Sequence, residues 1–521
     1  MAQQWTADHV RHILHRDTDP TPPKRRKVLP GESKAYIRVS TDLIARRGLY
    51  NALKPYREKY TWWQYQFLCH LVLSSTHDIA LHGDLPGVPI PWNALTKSLP
   101  SLTREDLEEL MHDGLMTRDY YDQTDHKCYW YFMGERLTEQ VYHAYYARAL
   151  LDILPEGVCS LVTGRAQGPL TTILYANGKH ESPLIRQSFG MIRRNCVNVW
   201  RLHGVFEQLK AEITTCTNPH QRQQLVYRYI GNQHCIDAVM RQGLTIDQDT
   251  GIGTYTPAYQ PSKTGRMFEI GGGCQALSRA FKHAAYDLPG LHNYDIRSSQ
   301  VTALLEIGGK YRLDTHSTET LREYIDNKQS KYLYAERAGM DVDLWKQCLL
   351  SLFFGASTEK VIQLSSEEAI TGSIYTEMVD WCQKNDTCAD PDTLFAHFLS
   401  VAQPFIDVRD TWLRIIQQQI LPEETYRRKG KRYLDNTVGK TMVIPKKVTQ
   451  QVLREVSAFL LQGLEAAFIY TLIILSDTYG YEVRSCEHDG LITWGTIPEE
   501  AIEMSRVRSG FTTAILEEKV L

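Results

Sequence analysis

The chain has 521 residues, of which 43% are hydrophobic and 23% charged, and its net charge is −3. This composition is that of an ordinary globular protein and leaves room for two to four domains. The near-neutral total neither indicates nor excludes nucleic-acid binding, because a local basic groove can lie within a neutral chain.

The eleven cysteines are scattered singly and form no CxxC pair. This pattern argues against a zinc site or a disulfide framework and fits a reducing interior. No apolar run reaches the roughly 18 residues that span a bilayer. The first residues, MAQQWTADHVRH, lack the hydrophobic segment of a signal peptide. The sequence therefore predicts a soluble, intracellular, cytoplasmic protein with no membrane partner.

Residues 1–55 are polar and partly Pro-rich, which predicts a flexible N-terminal segment. The run from Lys24 to Lys27, KRRK, resembles a nuclear localisation signal. A basic arm that touches phosphates, or a solvated linker, would have the same residues. A nuclear location therefore stays open beside the cytoplasmic one.

Residues 56–136 contain three helical patterns followed by two β-rich runs around Gln123–Asp125. This order predicts a winged-helix-like module, which can bind nucleic acid or a protein partner. Its third helix has no strong basic stripe, so both partners stay open. Residues 137–250 have mostly helical patterns, with a turn at Asn218-Pro219 between two long helices.

The first of four further stretches is SKTGRMFEIGGGCQALSR, which contains the run Thr264-Gly265-Arg266 and then Gln275 and Arg279. An arginine and a glutamine on Gly-rich backbone fit contact with a phosphate backbone. A plain surface loop is the alternative interpretation.

The second stretch, HNYDIRSSQVTALLEIGG, places Asp295 at the end of a predicted strand and before a predicted helix. An aspartate at this place, followed by small polar residues, suits Mg²⁺, which prefers oxygen ligands. Alternatively, Ser298 or Ser299 caps the helix and Asp295 only assists.

The third stretch is DLWKQCLLSLFFGAS. Lys346, Leu350 and Phe354 lie at positions i, i+4 and i+8 and share one helix face, and Gly355 can end the helix. A cation, an apolar side chain and an aromatic ring on one face suit a nucleoside triphosphate. A core helix with a snorkelling lysine is the alternative.

The fourth stretch is a helical pattern containing Gln462-Gly463, followed by YEVRSCEHDGLITWG. Its helix has an apolar run that we interpret as too short and too well flanked to span a membrane. The second part predicts a hairpin with His488 and Asp489 at its tip, because Asp-Gly between β-rich runs is a turn signal. By itself, this stretch leaves open whether Asp489 binds a metal or only makes a turn.

In this order and at these spacings, the four stretches resemble the family A DNA polymerases and phage-type single-subunit RNA polymerases. The segment 434–445, LDNTVGKTMVIP, resembles the one that joins fingers to palm, and the resemblance covers about 190–521. The resemblance implies an α+β right-hand polymerase with an antiparallel palm sheet and helical fingers and thumb. The thumb-like region would be 137–250, the palm and fingers 251–521, and the winged-helix-like module 56–136.

The resemblance also implies template-directed nucleotidyl transfer with two Mg²⁺ ions, or Mn²⁺, held by Asp295, Asp489 and the carbonyl of Ile296. Lys346 would stabilise charge on the phosphates and protonate the leaving group. The implied partners are a nucleic-acid template, a primer and nucleoside triphosphates. The implied nucleotide-binding residues are Gln300, Arg337, Lys346, Leu350, Phe354 and Gly355. The implied template and primer contacts are Arg266, Gln275, Arg279, Gln462 and His488.

Two residues favour deoxynucleotides. Gln300, five positions after Asp295, is bulky where the related DNA enzymes have glutamate and the RNA enzymes have a small residue. Phe354 lacks the hydroxyl that the RNA enzymes use near the sugar. The preferred hypothesis is therefore a 5′–3′ DNA polymerase without a proofreading exonuclease. A single-subunit RNA polymerase and a catalytically weak nucleic-acid-binding protein are the alternatives.

The sequence departs from the family pattern at two places. Val342 stands where a basic residue normally precedes the motif B lysine, so Arg337 or Lys331 is expected to supply that triphosphate contact. Gly490 stands where the DNA enzymes have glutamate. The basic run at 427–432, RRKGKR, is interpreted either as a contact to the nucleic-acid backbone or as a solvated hairpin tip.

Overall fold

The structure is a computed structural model that describes residues 44–519, with internal gaps. The gaps are at 83–86, 91, 123–127, 147–157, 167–174, 177–178, 181, 314–315, 354, 364–368, 372 and 385–388. The run Lys24–Lys27 and the ring of Phe354 lie outside the described residues. Predictions that concern them stay predictions.

Helices form most of the described chain. In chain order they are α1 (Arg47–Lys59), α2 (Trp62–His82), α3 (Trp92–Ser98), α4 (Arg104–His112), α5 (Glu135–Tyr146), α6 (Pro183–Met191), α7 (Val199–Thr215), α8 (Pro219–Arg241), α9 (Arg279–Tyr286), α10 (Ser299–Lys310), α11 (His316–Asp326), α12 (Ser330–Arg337), α13 (Val342–Phe353), α14 (Ser373–Lys384), α15 (Pro391–Ile415), α16 (Leu421–Glu424), α17 (Gln450–Tyr479) and α18 (Glu499–Ser509). A 3₁₀ turn covers Gly273–Ala276, and a π-helical turn, Ile416–Ile420, joins α15 to α16.

The strands form small sheets, and every strand pair within the described residues is antiparallel. They are β1 (Ile44–Arg46), β2 (Val88–Ile90), β3 (Met116–Asp122), β4 (Cys128–Met133), β5 (Val158–Ser160), β6 (Tyr175–Ala176), β7 (Lys179–His180), β8 (Asn195–Asn198), β9 (Thr245–Ile246), β10 (Ile252–Tyr255), β11 (Tyr259–Pro261), β12 (Met267–Glu269), β13 (Leu291–Ile296), β14 (Val361–Gln363), β15 (Ala369–Thr371), β16 (Tyr426–Arg428), β17 (Lys431–Asp435), β18 (Thr441–Ile444), β19 (Glu482–Cys486), β20 (Gly490–Trp494) and β21 (Leu516–Lys519). The protein is thus a mixed α and β structure.

The N-terminal part combines α2, α3 and α4 with a three-stranded sheet in the order β2-β4-β3. Helix α4 begins with a capping box, in which Thr103 and Asp106 satisfy each other's backbone amides.

Residues 44–55 differ from the expected flexible segment. They form β1 and most of α1, because Leu49 and Leu53 are fully buried against the neighbouring helices.

A buried ion pair joins this N-terminal part to α8. The Arg46 Nε lies 2.7 Å from the Asp237 Oδ1, and both side chains are only 4% exposed. Gln233 accepts a second hydrogen bond from Arg46, and the guanidinium also lies over the Tyr145 ring. One hydrophobic cluster extends from Ala45 to α9 and continues into the adjoining sheet. The N-terminal helices and the α7–α8 pair therefore share a core.

Arg46→Met is expected to lower the free energy of unfolding by about 3–5 kcal/mol, because it leaves the Asp237 carboxylate buried without its partner. Urea denaturation would measure the change. Lys54→Met, at an exposed position of α1, is the matched control. Arg46→Met combined with Asp237→Leu should recover most of the loss. A loss below about 1 kcal/mol would show that the pair is unimportant for stability.

The second core surrounds α17, which packs behind a four-stranded sheet in the order β19-β20-β13-β21. Thr449 caps the first turn of α17, and Gly480 ends it in the left-handed conformation. At 30 residues, with a mean hydropathy of 1.9 in its most apolar window, α17 is long and apolar enough to cross a membrane. This corrects the expectation that the apolar run is too short. In the protein, 78% of this most apolar window is buried, as is typical of a core helix.

Candidate active site

The four-stranded sheet brings Asp295 and Asp489 to neighbouring strand ends. Asp295 lies near the end of β13 and pairs with Gly490 at the start of β20. The Ile296 amide donates a 2.9 Å hydrogen bond to the Asp489 carbonyl oxygen. Asp489 belongs to the predicted hairpin turn, in which His488 has a φ of +68°. The turn and the carboxylate site are therefore the same feature.

Charged and polar neighbours surround the two aspartates. Burial and the nearby charge of Asp489 raise the pKa of Asp295 to about 6, and the Lys519 ammonium opposes this shift. Lys519, on the neighbouring strand β21, forms an ion pair with the Asp295 carboxylate. The Ser299 hydroxyl donates a 3.0 Å hydrogen bond to the Asp489 Oδ2. Two partly buried carboxylates thus share a small region that requires cationic compensation.

This donor set fits divalent cations that prefer oxygen ligands. Asp295 and Asp489 form a pair, and no group of three or more His, Cys, Asp or Glu side chains that could hold a metal occurs among the described residues. The alternative of a simple helix cap has no support at Ser298, which makes no side-chain capping bond. A ligand role for the Ile296 carbonyl stays a prediction.

Behind this pair lies a polar network that the sequence analysis missed. The fully buried Glu465 of α17 accepts hydrogen bonds from Arg266, at 2.7 Å, and from Gln300, at 2.6 Å. Burial raises the pKa of Glu465 to about 7, and the Arg266 charge opposes this shift. Glu465 is the one charged residue between 456 and 476. A glutamate is almost never buried without a partner, so its position in this apolar stretch was an available signal of a buried ion pair.

Gln275 has a structural role that differs from a free contact to nucleic acid. Its amide nitrogen donates to the backbone oxygens of Met267 and Cys486, at 3.0 and 2.7 Å. Its amide oxygen accepts from the Glu269 amide. Both amide donors are therefore used to hold the 486–490 hairpin against β12. Its predicted contact to template or primer would need these bonds to rearrange.

His488 lines a cavity of about 500 Å³ between α2, α8 and the Gly-rich segment 271–273. Its ring lies against Phe268, and its Nδ1 is buried without a hydrogen-bond partner within the described chain. Burial, together with the Arg266 charge, lowers the pKa of His488 to about 4. His488 is therefore neutral near pH 7. The cavity also contains His77 and Arg228, so helices N-terminal to the predicted catalytic region form part of its wall.

Helix α13 presents the predicted nucleotide face to solvent. Lys346 and Leu350 are exposed, the latter at 47%, whereas Trp345 and Leu349 on the opposite side are buried. The Lys346 ammonium pairs with Asp343 at 2.7 Å, one turn earlier on the helix. Half of the residues of α13 are buried, so the helix also packs in the core, and a nucleotide-binding role for Lys346 and Leu350 stays a prediction.

Gly355 ends this region with a φ of +87°, and a Cβ there would lie 2.4 Å from the Arg454 Cγ. A side chain at position 355 would therefore be strained and would collide with α17. The neighbouring cavity, of about 690 Å³, has a charged lining of three arginines and three acidic residues: Arg409, Arg414, Arg454, Glu359, Asp407 and Asp410. The end of α13 thus borders a cavity of mixed charge.

The remaining predicted basic residues have different surroundings. Arg279 and Lys331 are close enough to Asp343 to lower the pKa of its carboxyl, after the larger effect of Lys346. They therefore accompany Lys346 near the same helix face. Arg337 lies over the Tyr334 ring on α12, 5.5 Å from its centre. Because Lys331 and not Arg337 lowers the pKa of Asp343, the partner of Lys346, Lys331 is the better placed of the two substitutes.

Two glycines at the site are explained by close backbone approach. A Cβ at Gly490 would lie 2.2 Å from the Tyr294 carbonyl oxygen on β13. A Cβ at Gly463 would lie 2.4 Å from the Asn436 Nδ2, and Asn436 in turn holds the Thr264 carbonyl. Gln462, beside Gly463, is half-buried on α17. The glycines therefore let the predicted motifs pack directly against one another.

The basic run at 427–432 forms the tip of the exposed β16–β17 hairpin. Lys429 and Gly430 form its two-residue turn, and both have positive φ values. The run therefore lies at an exposed hairpin tip, which was the second of the two interpretations of this sequence. Contact of the run with the nucleic-acid backbone stays a prediction.

No protein-family model matches the sequence, and no curated protein matches it either. Among solved structures, the protein is similar to the POL domain of Pol1 from M. smegmatis, solved in complex with DNA primer-template and dNTP. The TM-score is 0.42 and the sequence identity is 13%, over 65% of this chain and 69% of that chain.

Proposed function

We propose that the protein is a nucleotidyltransferase that extends a primer 5′ to 3′ on a nucleic-acid template, with DNA as the favoured product. The observation that carries this proposal is the pairing of Asp295 with Gly490, which puts the Asp295 and Asp489 carboxylates at adjacent strand ends. These aspartates, with Lys346 and the Gln462-Gly463 helix, come in the order that the polymerase resemblance requires.

In the proposed reaction, the primer 3′-oxygen forms a bond to the α-phosphorus of a nucleoside triphosphate. The bond from that phosphorus to the bridging oxygen breaks, pyrophosphate leaves, and the 3′-hydroxyl proton passes to solvent. Two Mg²⁺ ions would supply activation of the hydroxyl and neutralisation of the phosphates. Asp295 and Asp489 hold the required negative charge, and Ser299 orients Asp489 through its 3.0 Å hydrogen bond.

The exposed face of α13 is the proposed binding surface for the triphosphate. Lys346 carries the cation there, and its partner Asp343 is 82% exposed, so the ion pair can open at little cost. Arg279 and Lys331 add positive charge to the same region. Lys346 would stabilise the developing charge and give a proton to the leaving pyrophosphate.

Gln300 is the proposed residue that excludes ribonucleotides, by occupying the space beside the sugar 2′ position. It lies in the first turn of α10, directly after Ser299, and is 5% exposed. Gln300→Gly is therefore expected to raise ribonucleotide incorporation relative to deoxynucleotide by about tenfold, a change of about 1.4 kcal/mol in discrimination. Single-nucleotide primer extension with matched dNTP and rNTP would measure it. An unchanged sugar preference would remove Gln300 from this role.

A single-subunit RNA polymerase is the second candidate, and preferential rNTP use by the wild-type protein would favour it. The third is a binding protein with little catalysis. Extension of a primed DNA template with Mg²⁺ and either class of nucleotide separates all three. Absence of any extension, with binding of primer-template retained, would support the third.

The N-terminal module has a more specific proposed role as a protein contact. Its helix α4 carries Glu105, Asp106, Glu108 and Glu109 against a single arginine, Arg104. Such a helix would repel the phosphates of a DNA groove. A protein partner is therefore favoured over DNA for this helix.

A further inference from the structure

The Gln300 amide is held in one orientation by a residue far away in the chain. Its Nε2 donates a 2.6 Å hydrogen bond to the Glu465 Oε2, and 165 residues separate the two. An ionised carboxylate can only accept hydrogen bonds, so the amide nitrogen must face Glu465. The Gln300 Oε1 is therefore turned the other way, where it is buried without a partner among the described residues.

Arg266 bonds to the same carboxylate. Its guanidinium donates to the same Glu465 oxygen at 2.7 Å, and its own side chain is 16% exposed. A fully buried carboxylate is costly unless it is paired. Arg266 is the counter-ion that favours the ionised form of Glu465, and its charge opposes the effect of burial on the pKa of that carboxyl. The three side chains thus connect α17, the segment after Gly265 and the first turn of α10.

We propose that Glu465 is a positioning residue that sets the discrimination between deoxyribonucleotides and ribonucleotides by fixing the side chain of Gln300. This inference rests on the proposed function, because it concerns the sugar of the incoming nucleotide. A glutamine free to rotate would leave space at the sugar for part of the time. A glutamine tied to a buried carboxylate keeps its amide group at one place beside the nucleotide.

Glu465→Gln tests this inference, because it keeps the shape of the side chain and removes its charge. The new amide can both donate and accept, so it permits two orientations of the Gln300 amide. The values of kcat/KM for a dNTP and the matching rNTP would be measured by single-nucleotide primer extension. The ratio of the two is expected to fall by about tenfold, mainly through a lower KM for the ribonucleotide.

A double-mutant cycle separates this role from a general structural one. In a Gln300→Met background, Glu465→Gln should cause no further change in the ratio, since the side chain through which Glu465 acts has been removed. Equal effects of Glu465→Gln in both backgrounds would overturn the inference. Glu455→Gln, which removes an exposed carboxylate from the same helix, is the matched control and should leave the ratio unchanged.

The remaining outcomes are also decisive. If Glu465→Gln folds, as judged by its thermal unfolding, and retains the wild-type ratio, the inference is wrong. If it does not fold, Gln300→Met alone must lower the ratio, and an unchanged ratio would overturn the inference. Absence of extension by the wild-type protein with either nucleotide would instead contradict the proposed function itself.

Discussion

Asp489→Asn is expected to lower the rate of nucleotide transfer by about a thousandfold or more, equivalent to about 4 kcal/mol of transition-state stabilisation. The change keeps the size of the side chain and leaves an oxygen that can accept the hydrogen bond from Ser299. It removes one of the two charges that the proposed mechanism uses to hold divalent cations. The fold should therefore survive, and the activity should not.

Single-turnover primer extension would measure this loss, and calorimetric titration with Mn²⁺ would measure cation binding independently of activity. Both the rate of primer extension and the affinity for Mn²⁺ should be lower in Asp489→Asn than in the wild-type protein. Asp477→Asn, at an exposed position of α17 that pairs with Arg193, provides the control for loss of a surface carboxylate. Undiminished extension in Asp489→Asn would show that this residue is only a turn residue.

Gly490→Ala is expected to reduce activity by at least about a hundredfold and the free energy of unfolding by about 1–3 kcal/mol. The added Cβ would lie 2.2 Å from the Tyr294 carbonyl oxygen, in the backbone of the paired strand. A backbone atom cannot move aside as a flexible side chain does. The strands β13 and β20 must therefore separate, and Asp489 must shift relative to Asp295.

Urea denaturation and primer extension, performed on the same preparation, test both parts of this expectation. Gly309→Ala is the matched control, because Gly309 lies in α10 with nothing within 4 Å of an added Cβ. Alanine should be neutral or slightly stabilising there. If Gly490→Ala retained wild-type activity, the close pairing of the two strands would be irrelevant to the reaction.

The close approach at Gly490 gives a physical reason why this position has no side chain. A glutamate here would need its Cβ in the space that the Tyr294 carbonyl oxygen already occupies. The absence of a side chain at position 490 therefore follows from the local packing of this sheet. Glu465, which the sequence analysis did not single out, is a fully buried carboxylate on α17.

Local patterns were sufficient to predict two structural features of the candidate site. The 3.6-residue period put Lys346 and Leu350 on one exposed face of α13. The Asp-Gly turn signal located the hairpin between β19 and β20. Both depend on interactions between residues close in the chain, whose geometry the sequence spacing specifies.

Other features depend on residues that meet only after folding. Arg46 and Asp237 are 191 positions apart, and Glu465 and Gln300 are 165 apart. Lys519 reaches Asp295 because β21 adds to the edge of β13. Spacing in the chain contains no information on such pairs, and the internal use of the Gln275 amide depends equally on where β12 and the hairpin meet.

The sequence by itself determined the order of the motifs, the amphipathic face of α13 and the turn that contains Asp489, because these follow from short-range periodicity and turn chemistry. Only the tertiary structure decided that Asp295 and Asp489 lie at adjacent strand ends, that Gly490 must lack a side chain and that Glu465 holds Gln300. Those outcomes follow from strand pairing and from the cost of burying an unpaired charge, which act between distant parts of the chain.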